Sequence, residues 1–408
     1  MTTPDPMLVK SIATHKAGRL AEARAMYQRI LRRRPKDPDA LHFLGLLNYQ
    51  RGDSDRAVSL MRKSLEIAPL NPHAWINLGN VLMARGVIDG AQQAYERAIE
   101  LAPDSAEAWY DLGICHRRQG APSKAVVCLI ESVRRRPGYL PGIKVLARIY
   151  YQLGQFDDAA EMYRQWLEVE PDSPIARHMA AAMSRKEGPV RADDAYVRQT
   201  FDDFADSFDE NLADLGYRAP EYLAELVAER AQAADRKLDV LDAGCGTGLC
   251  GPLVASHARH LCGVDLSGGM LAHAEERGVY HELHEAELCA FMRSQPGSFD
   301  LVISADTLVY FGDLAEPIAA AATCLRHDGL LLFTVERLDE AAPVPYRIEP
   351  HGRYAHKRQY LAEVLAEQGF AVERLDEVTL RKELGADVGG YRVSARKSAA
   401  IADAASPS

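Results

Sequence analysis

The 408-residue chain has no apolar run of the length a bilayer demands, about 20 residues, so a membrane-spanning helix is not expected. Its first residues, MTTPDPMLVK, lack a basic segment followed by an apolar core, and no secretory leader is expected either. Cysteine occurs seven times, at 115, 128, 245, 250, 262, 289 and 324, but never as CxxC and never with histidine at metal-ligand spacing. Neither a disulfide frame nor a metal site is expected; free thiols fit a reducing, cytoplasmic setting. A basic surplus is missing where a polyanion would need one. Residues 1–188 hold 27 Lys and Arg against 21 Asp and Glu, whereas the remainder holds 21 against 37. An acidic second half repels phosphate backbones, which argues against nucleic acid as a substrate.

What the chain does have is a repeat. Pro35, Pro69, Pro103, Pro137 and Pro171 are spaced by 34 residues, as are Gly18, Gly52, Gly86, Gly120 and Gly154, and Ala23, Ala57, Ala91, Ala125 and Ala159. Each has a physical role. Glycine turns the chain between two helices, alanine lets the helices approach, and proline cannot continue the second helix. Trp75, Leu78 and Gly79 recur as Trp109, Leu112 and Gly113. This pattern resembles the tetratricopeptide repeat (TPR) family, five units beginning at residue 4, with SPIARHMAAAM (173–183) as a capping helix. The domain so defined spans 4–183. Ser11, Leu129 and Ile143 depart from the ideal pattern in ways compatible with packing. The resemblance implies a groove lined by His42, Phe43, Asn77, Asn80, Tyr110, Asp111, Arg117, Lys144 and Arg148, either a surface for a protein or peptide partner or a solvated face.

SRKEGPVRADD (184–194) is charged, contains Gly and Pro, and breaks the apolar period, as a linker does. Beyond it, strand-like runs at 238–243, 261–265, 281–285, 299–304, 329–335, 371–380 and 391–397 alternate with helical ones. Helices are expected near 192–206, 218–233, 247–257, 267–277, 313–325 and 355–369. Such alternation predicts a mainly parallel sheet over 195–397, with ligand at the carboxyl ends of its strands. The tail, 398–408, is poor in bulky apolar residues and is expected to be disordered.

DAGCGTGLCG (242–251) follows the first strand and can be parsed in two ways. From Gly246 it spells G-x-G-x-x-G, a dinucleotide fingerprint ending at Gly251. From Asp242 it spells D-x-G-x-G-x-G, the nucleoside loop of S-adenosylmethionine (SAM) enzymes. Either nucleotide wants Gly244, Gly246 and Gly248 bare and Asp265, at the end of the next strand, for ribose hydroxyls. Asp242 separates them: it attracts the cationic methionyl end of SAM and repels a pyrophosphate. Glu287 adds an acid after the third strand.

FDDFADSFDENLADLGYRAP (201–220), ADTLVYFGDL (305–314) and HGRYAH (351–356) extend the likeness. Over residues 4–397 the chain resembles the bacterial predicted TPR methyltransferases, whose catalytic half is a class I SAM-dependent enzyme. That implies an α plus α/β architecture: an all-α TPR solenoid followed by a Rossmann-like domain with a seven-stranded, mainly parallel sheet. It implies SAM as cofactor, with Asp242, Gly244, Cys245, Gly246, Gly248, Asp265, Leu266, Glu287 and Leu288 at its site. Glu287 stands where the family has Asp. The alternatives are an NAD-dependent oxidoreductase and an interaction protein whose methyltransferase domain has lost turnover.

For the acceptor, a small molecule, a carrier-bound group or a protein, the candidates are Asp306, Tyr310, Arg353 and His356, with Glu336 after strand five. Strand four ends in SADT rather than Asn/Asp-Pro-Pro-aromatic, which argues against methylation of base amino groups. Arg353 suits an anionic acceptor, since a guanidinium grips a carboxylate through two parallel hydrogen bonds. Tyr310 and Tyr354 fit wall packing as well as substrate contact, and His356 fits a cap on the helix after it. Phe201, Phe204 and Phe208 share one helical face, either packed on the sheet or serving as a lid, with Tyr217 near the acceptor.

Overall fold

A computed structural model describes residues 5–184, 189–234, 236–383 and 385–398. The expected tail, from 399 on, and part of the expected linker, 185–188, lie outside these. Residues 1–169 and 170–408 form two compact units.

Among the described residues, the first unit is ten helices in antiparallel pairs. Asp37, Asn71 and Ser105 cap first helices, each accepting from the backbone N–H three residues on. The glycines at 18, 52, 86, 120 and 154 end those helices at φ between 70° and 86°. The residue after each glycine donates to the carbonyl five residues back, as in Asp53 to Asn48 and Val87 to Leu82. Close packing explains the inner small residues. A Cβ on Gly79 would lie 2.4 Å from the Tyr95 ring, and one on Gly113 would lie 2.8 Å from Leu129. The repeated proline also serves as an acceptor. Trp75 and Trp109 each donate an indole N–H to the carbonyl of Pro69 and Pro103, at 2.9 Å.

In the second unit, strands β1 (Leu238–Ala243), β2 (Ala258–Asp265), β3 (Glu282–Glu285), β4 (Phe299–Ser304) and β5 (Leu325–Arg337) are parallel in the order β3-β2-β1-β4-β5. A hairpin, β6 (Tyr346–Ile348) and β7 (Tyr354–His356), pairs through β7 with the end of β5. β8 (Phe370–Glu383) and β9 (Ala386–Lys397) close the sheet, β9 lying antiparallel to β5. Seven of these strands answer the expected ones; the hairpin was not anticipated. Strand order reverses between β1 and β4, and the loops after those two strands flank the crevice where such folds bind ligand.

The helix Pro174–Ser184, expected as the solenoid cap, belongs to the second unit. His178 stacks on Tyr196 at 3.8 Å and its Nε2 lies 2.7 Å from the Gly352 carbonyl. The described end of the linker is ordered on the sheet domain: Val190 O accepts from Gly312 and Asp313, and Ala192 N–H donates to Tyr310 O.

Candidate functional site

The loop after β1 turns at Gly244, Gly246 and Gly248, with φ of 77°, 54° and 80°. Only glycine takes these values without strain. The three differ in their surroundings. Gly244 sits where a Cβ would strike Thr307, at 2.2 Å; Gly246 faces open space, with nothing within 4 Å of such a Cβ. Gly248 backs onto the Tyr280 ring, at 2.9 Å, and so does Gly251, at 2.7 Å. Gly244 and Gly246 border the cavity; Gly248 and Gly251 do not. Gly248, expected at the cofactor, and Gly251, the last glycine of the dinucleotide pattern, thus pack on the Tyr280 ring rather than on the cavity.

Asp265 clasps the loop from β2. Its Oδ2 accepts the Gly246 N–H at 2.8 Å and its Oδ1 the Ser267 N–H at 2.9 Å. Burial raises its pKa, and the backbone N–H groups oppose that rise. A carboxylate has about four acceptor positions, so those the backbone leaves unused remain for a ligand. Asp242, 1% exposed, accepts a 2.7 Å hydrogen bond from Tyr280. Burial pushes its carboxyl up to about 7 against that bond.

Glu287 caps the helix Leu288–Ser294 by accepting from Ala290 N–H at 2.7 Å, and it meets Arg191 at 3.3 Å. Burial opposes its ionisation, but the Ala290 and Cys289 N–H groups and Arg191 outweigh it and hold its carboxyl below the usual range. That helix was not anticipated from sequence. Asp242, Cys245, Asp265, Leu266, Glu287 and Leu288 all border the same cavity.

The far wall carries ions. Asp306, at the end of β4, has φ 52°, unusual for a residue with a side chain. It is fixed from two sides: Thr334 Oγ1 donates to Oδ1 and Arg381 to Oδ2, both at 2.9 Å. Arg381, 1% exposed, also pairs with Glu336 and, at 3.4 Å, with Glu383. Arg353 meets Glu383 at 3.3 Å and hydrogen-bonds Tyr310. Burial works against the charges on Arg353 and Arg381, but Tyr310, Glu336 and Glu383 keep the first raised, and Glu336 and Asp306 the second. Burial also raises Asp306, the neighbouring guanidiniums opposing it. Asp306, Tyr310, Arg353, Arg381 and Tyr217 border the cavity together.

His356 does not. It is wholly buried behind the wall, its Nε2 2.9 Å from Phe311 O and 3.1 Å from Gly312 O, and burial lowers its pKa to about 4. Nor does it cap the next helix, which starts after Lys357. Tyr354 is wall packing, donating to Pro189 O at 2.6 Å.

The segment expected either to pack on the sheet or to serve as a lid lines the cavity. Phe201, Phe208 and Leu212 border the cavity, and Phe201 meets Tyr310 edge-on at 5.5 Å. Asp209 accepts from Thr247 Oγ1 and from Arg277, both at 2.5 Å, and Asp202 accepts from Ser267 Oγ at 2.5 Å. Phe204 leaves the expected face and stays 39% exposed. Sequence reasoning also missed Arg191, Tyr280, Thr307 and Arg381. Tyr280 was legible in principle, as the bulky residue three small ones must accommodate; Arg381 had no signal.

A family model for a methyltransferase domain matches residues 215–375. Tetratricopeptide repeat models match 15–72, 76–139, 140–183 and 48–98. A ubiquinone biosynthesis O-methyltransferase of Aromatoleum aromaticum is 33% identical over 99 residues, 23% of this chain and 42% of its own. A probable S-adenosylmethionine-dependent methyltransferase of Mycolicibacterium smegmatis is 29% identical over 187 residues, 44% of this chain and 71% of its own. The chain spans between 28% and 51% of the length of the first four curated relatives it matches. Among solved structures, MamA is 22% identical, covering 42% of this chain and 97% of its own, with a TM-score of 0.38.

Proposed function

We propose that this chain, which carries tetratricopeptide repeats ahead of a methyltransferase domain, binds SAM in the cavity beside the glycine loop and transfers its methyl group to a neutral nucleophile. Bound SAM supplies a methyl on a sulfonium, which departs readily without metal or covalent help. The residues present suit it. Gly246 leaves the backbone bare beside open space, Asp265 keeps acceptor positions for ribose hydroxyls, and Asp242 offers a buried carboxyl whose ionisation a cation would favour. Leu266 and Leu288 add apolar walls and Glu287 an acid at the cavity edge. The lid phenylalanines exclude water, and a dry, ordered site is what methyl transfer chiefly needs.

The acceptor class follows from charge. Two guanidiniums, Arg353 and Arg381, already face three carboxylates, Asp306, Glu336 and Glu383. An anionic acceptor would enter a cluster whose cations are spent, so Arg353 is better placed to hold the wall than to grip a carboxylate. A hydroxyl or amine fits, with Asp306 accepting its proton.

One observation carries the cofactor assignment: the Asp265 carboxylate clasped to the Gly246 and Ser267 N–H groups at the cavity edge. Calorimetric titration of the full chain with SAM and with NAD tests it. SAM should bind at micromolar strength and NAD should not, and Asp265→Asn should cost about 2–4 kcal/mol of SAM binding. Equal affinity in that variant removes the assignment.

The repeats support interaction with protein. We assign them the recruitment of a partner or of the acceptor's carrier.

A further inference from the structure

Away from the cavity, strands β2 and β3 bring together a second set of reactive side chains. The strands are parallel, with Cys262 paired to Glu282 and Val264 to His284. Strand alternation puts His260 on the face of Cys262, and Glu282 on the face of His284. The thiol, a Glu282 oxygen and a His284 ring nitrogen all lie within 4.8 Å of one another. His284 Nε2 is 3.1 Å from one Glu282 oxygen, and His260 Nε2 is 3.4 Å from the other. His284 rests against the Phe291 ring at 4.9 Å.

We propose that Cys262, Glu282 and His284 form a site for a divalent transition metal of the zinc class, with His260 holding the free oxygen of Glu282. Sulfur, imidazole nitrogen and carboxylate oxygen together suit zinc or cobalt; magnesium and calcium take oxygen alone. Metal–ligand bonds of about 2.0–2.3 Å place tetrahedral donors roughly 3–4 Å apart. Glu282 and His284 are part-exposed, with side chains 56% and 39% accessible, so they have room to close that distance around an ion. Cys262 is buried and supplies the fixed corner. Water completes the fourth position. An outer imidazole on a ligating carboxylate is the second layer of support such sites use.

The site has a structural consequence. β3 has four residues, bonded to β2 alone, and no member is fully buried. A metal would fasten this short edge strand to its one neighbour. Three residues beyond Cys262 stands Asp265, and three beyond His284 stands Glu287, both on the cavity wall. The metal therefore steadies both acids from outside the cavity. Ligands divided between two strands leave no CxxC spacing in the sequence. Metal binding here does not depend on whether the chain transfers methyl groups.

The test is cobalt titration of the untagged, chelator-treated full chain, followed by the near-ultraviolet thiolate-to-cobalt absorption. One ion per chain should give that band, and zinc should displace it. Cys262→Ser should abolish it. His284→Ala and Glu282→Gln, at accessible positions that leave the fold intact, should weaken cobalt binding about 10–100-fold. Absence of the band in the wild-type chain overturns the site. So does a band of unchanged strength in both His284→Ala and Glu282→Gln, because the ion would then sit on another thiol.

Discussion

Tyr280 donates a 2.7 Å hydrogen bond to Asp242 from a ring on which Gly248, Gly251 and Gly263 all rest. Loop shape and carboxylate orientation are thus set by one phenol, and two of the glycines that look like nucleotide contacts make room for it. Burial lifts Asp242 to about 7 and the phenol pulls it down. A cationic ligand group favours the ionised carboxylate, so SAM affinity should rise between pH 6 and 8. Tyr280→Phe should move that rise to higher pH and weaken binding at pH 7 about 10–150-fold, the loss of one hydrogen bond to a charged group. Calorimetry across the range decides. An unchanged profile in the variant would show that Tyr280 only fills space.

Asp306 is held by Thr334 and Arg381 in a left-handed backbone conformation, a cost that functional sites tolerate. If it takes the acceptor's proton, Asp306→Asn should lower turnover about 100-fold or more while SAM affinity stays within about twofold. Burial raises the Asp306 pKa, and a base must be ionised, so wild-type turnover should decline as pH falls through that raised value. Labelled SAM and the fractionated acceptor give both numbers. Full turnover in Asp306→Asn would leave the acceptor's proton to solvent.

What sequence could reveal followed the range of the interactions. The repeat was plain because each unit caps and packs itself: proline, glycine and alanine act within 34 residues. β1, its glycine loop and Asp265 were legible for the same reason, since strand, turn and next strand adjoin. The acceptor wall was not. Arg381 reaches Asp306 across 75 residues from the last hairpin, and nothing near it in sequence marks it as inward-facing. β6 and β7, three residues each, exist by pairing at the end of β5 rather than by their own pattern. His356, an acceptor candidate from sequence, instead has its ring against two carbonyls of the wall, from residues 44 and 45 positions away.

Two glycine substitutions separate packing from backbone strain in the repeats. Gly79→Ala pushes a methyl into the Tyr95 ring, which backs onto Asn80 through a 2.7 Å hydrogen bond. Overpacking of this kind costs about 1–3 kcal/mol. Gly52→Ala meets no atom within 4 Å but keeps φ at 86°, so its cost is strain alone, about 1 kcal/mol. Urea unfolding should rank them in that order. The reverse order would mean that the helix pair relaxes easily and the turns limit the array.

Asp111 offers a stability test specific to the repeats. Its Oδ2 is buried without a hydrogen-bond partner among the described residues, and burial with nearby Glu107 raises its pKa to about 7. The unfolded chain ionises an aspartate at about 3.9. The folded array therefore holds the extra proton between those values, and the stability this contributes is full below about pH 4 and lost as pH rises through 7. Asp111→Asn cannot ionise and escapes that loss. The variant's advantage over the wild type should grow from pH 4 to 7 and level off above, at about 4 kcal/mol. All three tryptophans, Trp75, Trp109 and Trp166, lie in the repeats, so their fluorescence during urea unfolding follows this unit alone. A difference independent of pH would mean that Asp111 is ionised in the folded array, with a cation or water supplying the missing partner.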